Sequence, residues 1–340
     1  MDSELQSPTE QVGAVQRKRL FAIGAAAALV IAAAFLFAAY VFFLQAPQRN
    51  APGAQFVITL GESPADVSYN LATHGFISHP LVFDIAFMLR GAGLAHAGGY
   101  DVSSSMSAWQ IASVLSRKPS SVWVVIPEGL RKEQIAQLLG EALGWSDAQV
   151  TEFITKDTEK PDYTEGVYFP DTYLMPVGET PLQAAERLQA QFDEVFAPYA
   201  KEAIAKNIKW TTVLKLASII QREAAGATDM PLISGILWNR LTIGMGLDVD
   251  ATLQYARGDT GEGWWAPITH ADEKINSPYN TYLHAGLPPT PIANPGVEAI
   301  EAALDPATTT CLYYLHDTMR QIHCATTYTQ QQENVQTYLK

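Results

Sequence analysis

One long apolar block dominates the start of the hydropathy pattern. Leu20 to Leu44 contains no charged residue. As an α-helix it would reach roughly 37 Å, more than the ~30 Å hydrocarbon layer of a bilayer. Arg17, Lys18 and Arg19 stand immediately before it, and only Arg49 stands close behind. The positive-inside rule puts residues 1–19 in the cytoplasm and everything from 45 onward on the far side of the inner (cell) membrane. A cleaved leader is the competing reading. The block is longer than a leader's apolar core, and Gln45-Ala46-Pro47-Gln48 offers no small-x-small cleavage site.

Shorter periods follow a Pro/Gly/Gln linker at 45–54. Phe56–Leu60 reads as a strand. Ser63-Pro64-Ala65-Asp66 is a helix start, with a Ser cap, Pro at the first position and an acid at the third. That helix runs to about His74, a second fits Pro80–Arg90, and Gly98–Val102 reads as a return strand. A helix at Ala108–Arg117 has Ser107 as its cap, and Val122–Ile126 is the next strand. Arg131–Leu143 carries Ile135, Leu138 and Leu139 on one side. Helical periods recur at about 147–156, 181–197, 211–225 and 229–241. From 244 onward Gly, Pro, Asn and Tyr dominate, which reads as a loop-rich binding surface. A hairpin and a polar helix near 328–339 close the chain. The plan is α+β: tail 1–19, transmembrane helix 20–44, linker 45–54, a small βααβ module at 55–118 and a larger α+β domain at 119–340.

Charge narrows the partners. The tail holds Asp2, Glu4 and Glu10 against Arg17, Lys18 and Arg19, so the formal charge of −13 falls on the exported part. No basic stripe is present to neutralise phosphates, which argues against nucleic acid. Cys311 and Cys324 both lie in the last segment. If Leu312–His316 and Gln321–Ala325 pair, the two are neighbours on adjacent strands; they are either bonded or free thiols. The seven His residues form no HExxH or zinc spacing, and no phosphate loop is present, so no motif calls for a metal or an organic cofactor.

The helix at 211–225 holds the most informative anomaly. Its apolar stripe runs through Leu216, Ile219 and Ile220, and the next member is Glu223. A carboxyl on an apolar stripe shifts its pKa upward or finds a partner. Held protonated near neutral pH, it can donate to a leaving oxygen. The plain alternative is a solvated Glu in a fraying last turn before Ala224-Ala225-Gly226, or one paired with Arg222 or Arg240. Trp264-Trp265 either stack on a sugar or simply pack. Tyr279-Asn280-Thr281-Tyr282 either hydrogen-bond a polar polymer or close a turn after Pro278.

Several ordered stretches resemble one family. Ala217-Ser218-Ile219-Ile220-Gln221-Arg222-Glu223-Ala224 is similar to the signature helix of the endolytic murein transglycosylases (MltG or YceG-like proteins). Glu165-Gly166-Val167-Tyr168-Phe169-Pro170-Asp171-Thr172-Tyr173 matches ahead of it. Behind it come Asn239-Arg240-Leu241, Gly244-Met245-Gly246-Leu247, Asp250-Ala251-Thr252-Leu253-Gln254-Tyr255, Ser277–Tyr282, Gly286–Pro289 and Pro291–Gly296. The resemblance covers residues 20–340. It implies a LysM-like module at 55–118 and a catalytic domain at 119–340. The implied reaction cleaves between N-acetylmuramic acid and N-acetylglucosamine in nascent peptidoglycan, leaving a 1,6-anhydro end and terminating strands. The family's catalytic Glu falls on Glu223, with Gln254, Tyr279 and Asn280 as candidates for orienting the sugar. Peptidoglycan and wall-synthesis enzymes are the implied partners. The chain departs from the family at Gln221, where Glu is common, at Ala251, where Pro is common, and near Glu333-Asn334, which match a His-Asn pair poorly. A non-catalytic wall-binding scaffold and a water-adding hydrolase are the rival classes.

Overall fold

In the computed structural model the described residues are 8–91, 95–156 and 165–339, without the side chains of 8–18, 42 and 43. Of the tail expected at 1–19, residues 1–7 and the side chains of Arg17 and Lys18 lie outside the described residues. The chain divides into two compact units, 1–122 and 123–340.

The first unit begins with α1 (Pro8–Ala39), continued by a π-helical turn at Tyr40–Leu44. Pro8 is well placed in a first turn, so the helix starts inside the expected tail. Its stretch Arg19–Ala39 is long and apolar enough to cross a membrane, consistent with a single-pass anchor. The linker is pinned: the Gln48 N–H donates to Ser104 O at 3.0 Å, and Ser103 Oγ donates to Ala51 O at 2.8 Å.

Then come β1 (Ala54–Ile58), α2 (Pro64–Thr73), α3 (Pro80–Leu89), β2 (Gly98–Val102) and α4 (Ala108–Leu115). This is the strand-helix-helix-strand order expected from the pattern. β1 lies two residues earlier than the apolar run suggests, because antiparallel pairing from Ala54↔Val102 to Ile58↔Gly98 fixes its ends. The capping box at Ser63 and Asp66 is formed as expected. Phe56, Ile58, Leu71, Phe83, Tyr100, Ile111 and Leu115 build the core. Gly98, at φ 148°, must be glycine: a Cβ there would sit 2.5 Å from Ser121 O. A groove of about 700 Å³ opens beside this core, lined by Glu62, Pro64, Phe83, Phe87, Met88 and Ala95.

β3 (Ser121–Val125) carries the chain into the second unit. There α5 (Lys132–Leu143), α6 (Asp147–Thr155), β4 (Thr172–Pro176) and α7 (Pro181–Ala205) precede α8 (Trp210–Glu223) and α9 (Met230–Thr242). α8 is the central helix. Val213, Leu214, Leu216, Ala217, Ile219 and Ile220 on it are wholly buried against α7, α9, α10 (Asp250–Arg257) and α11 (Val297–Leu304). The last two helices lie in the stretch expected to be loop-rich, and they are a correction to that reading. Each is only eight residues long and set among Gly and Pro, so its period is too short to stand out. α7 also runs through Pro198 to Ala205, past the expected end at 197. The tail forms the expected hairpin, β5 (Tyr313–His316) with β6 (Ile322–Ala325), then α12 (Tyr328–Tyr338). Cys311 and Cys324 are disulfide-bonded, with Cα atoms 5.9 Å apart.

Candidate active site

Glu223 is the last residue of α8. Ala224 is extended, and its N–H closes the helix on Ile220 O at 3.0 Å. The residue keeps partial access to solvent. Burial pushes its carboxyl pKa above the ordinary range, and the charge of nearby Asp250 adds to this. Three groups pull the other way: the Tyr314 hydroxyl, the Ala251 backbone N–H and His316. Tyr314 Oη donates to Glu223 Oε2 at 2.7 Å. Tyr314 itself is held well above its usual pKa by burial and by Glu223, so it remains a donor.

The elements around Glu223 are braced from several sides. Tyr314 lies on β5, directly opposite Cys324, whose disulfide closes the hairpin. His316, two residues on, meets Asp229 at 3.0 Å. Arg240 on α9 donates to Leu312 O and to Leu247 O, each at 2.6 Å. On α10, Asp250 accepts from Tyr282 Oη at 2.6 Å. Arg222 lies with its guanidinium 4.0 Å from the Trp265 ring centroid. Neither arginine considered as a partner for Glu223 is therefore idle.

A second carboxyl sits deeper. Glu165, on the approach to β4, is 1% exposed. It accepts from the Lys132 N–H at the start of α5 (3.2 Å), from Asn294 Nδ2 (2.7 Å) and from Tyr255 Oη (3.5 Å). Burial, with the charge of Glu133, pushes its pKa up to about 7. One helix serves both carboxyls: Ala251 and Tyr255 are one turn apart on α10.

The residues singled out for sugar contact are placed as follows. Gln254 donates to Trp265 O and Ala266 O at 3.1 and 3.2 Å, tying α10 to the Trp loop. Tyr279 Oη bonds Thr290 Oγ1 at 2.7 Å, and its ring lies 4.8 Å from that of Tyr255. Asn280 is fully buried. Its amide donates to Glu273 O and Ile275 O, and its carbonyl accepts from Tyr282 N–H. The tryptophans are packed: Trp264 under the Arg131 guanidinium at 4.5 Å, and Trp265 with Nε1 donating to Gln134 Oε1 at 3.0 Å. Tyr314 and Asp250 were not singled out from sequence, and Tyr282 was named only as one of the possible polymer contacts at 279–282. Asp250 and Tyr282 lie inside motif stretches, whereas Tyr314 had no signal beyond a place on a strand.

Residues 56–337 match the YceG-like family. The chain belongs to this family. An endolytic murein transglycosylase of Streptococcus pneumoniae is 27% identical over 291 residues, covering 76% of this chain and 53% of that protein. One of Bacillus subtilis is 28% identical over 281 residues, covering 76% of this chain and 77% of that one. The chain thus spans about half the length of the pneumococcal relative. The crystal structure of a YceG-like protein from Listeria monocytogenes superposes with a TM-score of 0.57 at 26% identity, over 84% of this chain and 99% of that one. In this YceG-like protein the motif stretches are largely scaffold. Arg240, Asn280 and Asn294 spend their polar groups on backbone and on Glu165, whereas Glu223 keeps partial access to solvent.

Proposed function

We propose that this YceG-like protein is a membrane-anchored lytic transglycosylase that cuts peptidoglycan between N-acetylmuramic acid and N-acetylglucosamine. The observation that carries the reading is Glu223: a partly accessible carboxyl with a raised pKa, gripped by Tyr314 and Ala251. Protonated Glu223 gives its proton to the glycosidic oxygen as the bond to the anomeric carbon breaks. The substrate's own acetamido group relieves the developing positive charge, as in substrate-assisted glycosidases. The Glu223 carboxylate then takes the proton of the sugar's 6-hydroxyl, whose oxygen bonds the anomeric carbon and closes the anhydro ring. The acceptor is tethered, so no second molecule has to be ordered. Tyr314 stabilises the carboxylate between the two proton transfers. Asn280 and Gln254 act by holding the loops around α10, and Tyr279 by packing its ring, tilted, against Tyr255.

The same reading puts residues 1–19 in the cytoplasm, residues 20–44 across the membrane and both the LysM-like module at 55–118 and the catalytic domain at 119–340 outside. Wall-synthesis enzymes are its partners, and release of nascent strands is its outcome. The test is Glu223→Gln on purified sacculi. Loss of anhydro-muropeptides with folding retained supports the reading; undiminished release overturns it. Glycan binding without any cleavage product from the native protein would favour a scaffold.

A further inference from the structure

α3 is apolar on two faces. Val82, Phe83 and Ala86 turn inward to the core of the first unit. On the other side Leu81, Ile85, Met88 and Leu89 recur at i, i+4, i+7 and i+8, one continuous stripe. They are 61, 40, 68 and 65% exposed. The helix's charged residue Asp84 falls on the flank of this stripe, and the Arg90 that follows is bonded to Ser113 and lies over Trp109. A continuous apolar stripe left in water marks a surface meant to be covered.

The position of the stripe says by what. α3 and α4 both pack against the π-helical turn at Tyr40–Leu44, the end of the apolar helix. The linker that follows is fastened to the turn before α4 through Gln48–Ser104 and Ala51–Ser103. The module therefore does not hang from a free tether; it is fixed at the exit of α1. Because α1 is read as crossing the bilayer, we propose that the outer face of α3 seats in the outer boundary layer of that bilayer, at the junction of headgroups and acyl chains. A short helix with a wide apolar stripe lies in that zone along the membrane plane. The stripe carries no Lys or Arg, so the seating is hydrophobic and insensitive to salt. This inference rests on the anchoring proposed above. Its consequence is that the module, and not only the helix, sets the height at which the exported part begins.

The test uses the full chain in phosphatidylcholine vesicles. Both native cysteines are bonded to each other, so Ile85→Cys gives one thiol for a nitroxide label. A parallel Asp101→Cys label, at an exposed position of β2, provides the water reference. Flotation with the vesicles reads the anchor by itself. In floated protein we expect the label at 85 to gain collisions with oxygen and lose them with a water-soluble nickel complex, relative to 101. The pair Leu81→Ser and Leu89→Ser, both at exposed positions, should return the label at 85 to the behaviour of 101. Equal nickel access at 85 and 101 in floated protein overturns the seating and leaves the anchor standing. Spin–spin broadening at 85 that grows with protein-to-lipid ratio overturns it in favour of a second copy. Failure to float overturns the anchor, and the seating with it.

Discussion

Tyr314 Oη donates to Glu223 Oε2 at 2.7 Å, joining two residues 91 positions apart. The bond ties the last turn of α8 to a strand of the tail hairpin. It also opposes burial, which alone would drive the carboxyl further up. An acid that must give a proton and then carry the charge needs both influences.

Tyr314→Phe tests that balance. A hydrogen bond to a charged group is worth about 1.5–3 kcal/mol, or roughly one to two pKa units. Losing it disfavours the carboxylate, so the pKa of Glu223 rises. The limb on which activity falls with increasing pH should move upward by that amount. Turnover near neutral pH should drop by about 10- to 100-fold, since the carboxyl is also no longer oriented. A pH–rate profile of the variant checks both effects.

The disulfide holds the hairpin that presents Tyr314. Cys311 and Cys324 close a loop of separation 13, for which chain entropy gives about 3 kcal/mol. Changing both to Ser should lower the melting temperature. It should also cut activity under conditions where circular dichroism shows the fold intact. Reductant should do the same to the native protein and leave the double variant unaffected.

Glu165 makes a stability prediction. Its folded pKa, about 7, lies above that of the unfolded chain, so the fold favours the protonated form. Below the ordinary carboxylate range both states are protonated and nothing is lost. As pH rises from that range to about 7, the unfolded chain ionises first and stability falls, by roughly 3 kcal/mol in all. Thermal melts of native protein should therefore show a decline between about pH 5 and 7. Glu165→Gln should flatten it.

Gly235 lies on α9 beneath the segment at 307. A Cβ there would sit 2.3 Å from Ala307 O, a backbone atom that is itself held by the Ala307 N–H to Pro231 O bond. Gly235→Ala should cost about 1–3 kcal/mol. In a unit of this size that is about 2–4 °C of melting temperature per kcal/mol, measurable by calorimetry.

Sequence legibility followed the range of the interactions. α2 announced itself because its cap, Ser63 and Asp66, is local. Glu223 was visible because it interrupts a stripe that Leu216, Ile219 and Ile220 establish within two turns. α10 and α11 were not visible, because each has only two turns and is held by packing on α8. Tyr314 was not visible at all: its meaning comes from a partner 91 residues away, and strand alternation alone does not distinguish it from Tyr313. Gln254 and Asn280 stood out in the motifs as polar groups. Which bonds they make is decided by loop backbone that no short-range pattern encodes.

In the proposed reaction Glu223 performs both proton transfers and no water enters the product. Digestion of peptidoglycan in heavy-oxygen water, followed by mass spectrometry of the glycan ends, tests it most directly. The native protein should give 1,6-anhydro ends free of heavy oxygen, and Glu223→Gln should give no such ends. New reducing ends carrying heavy oxygen in excess of an enzyme-free control, or anhydro ends from the variant at the native level, would contradict it.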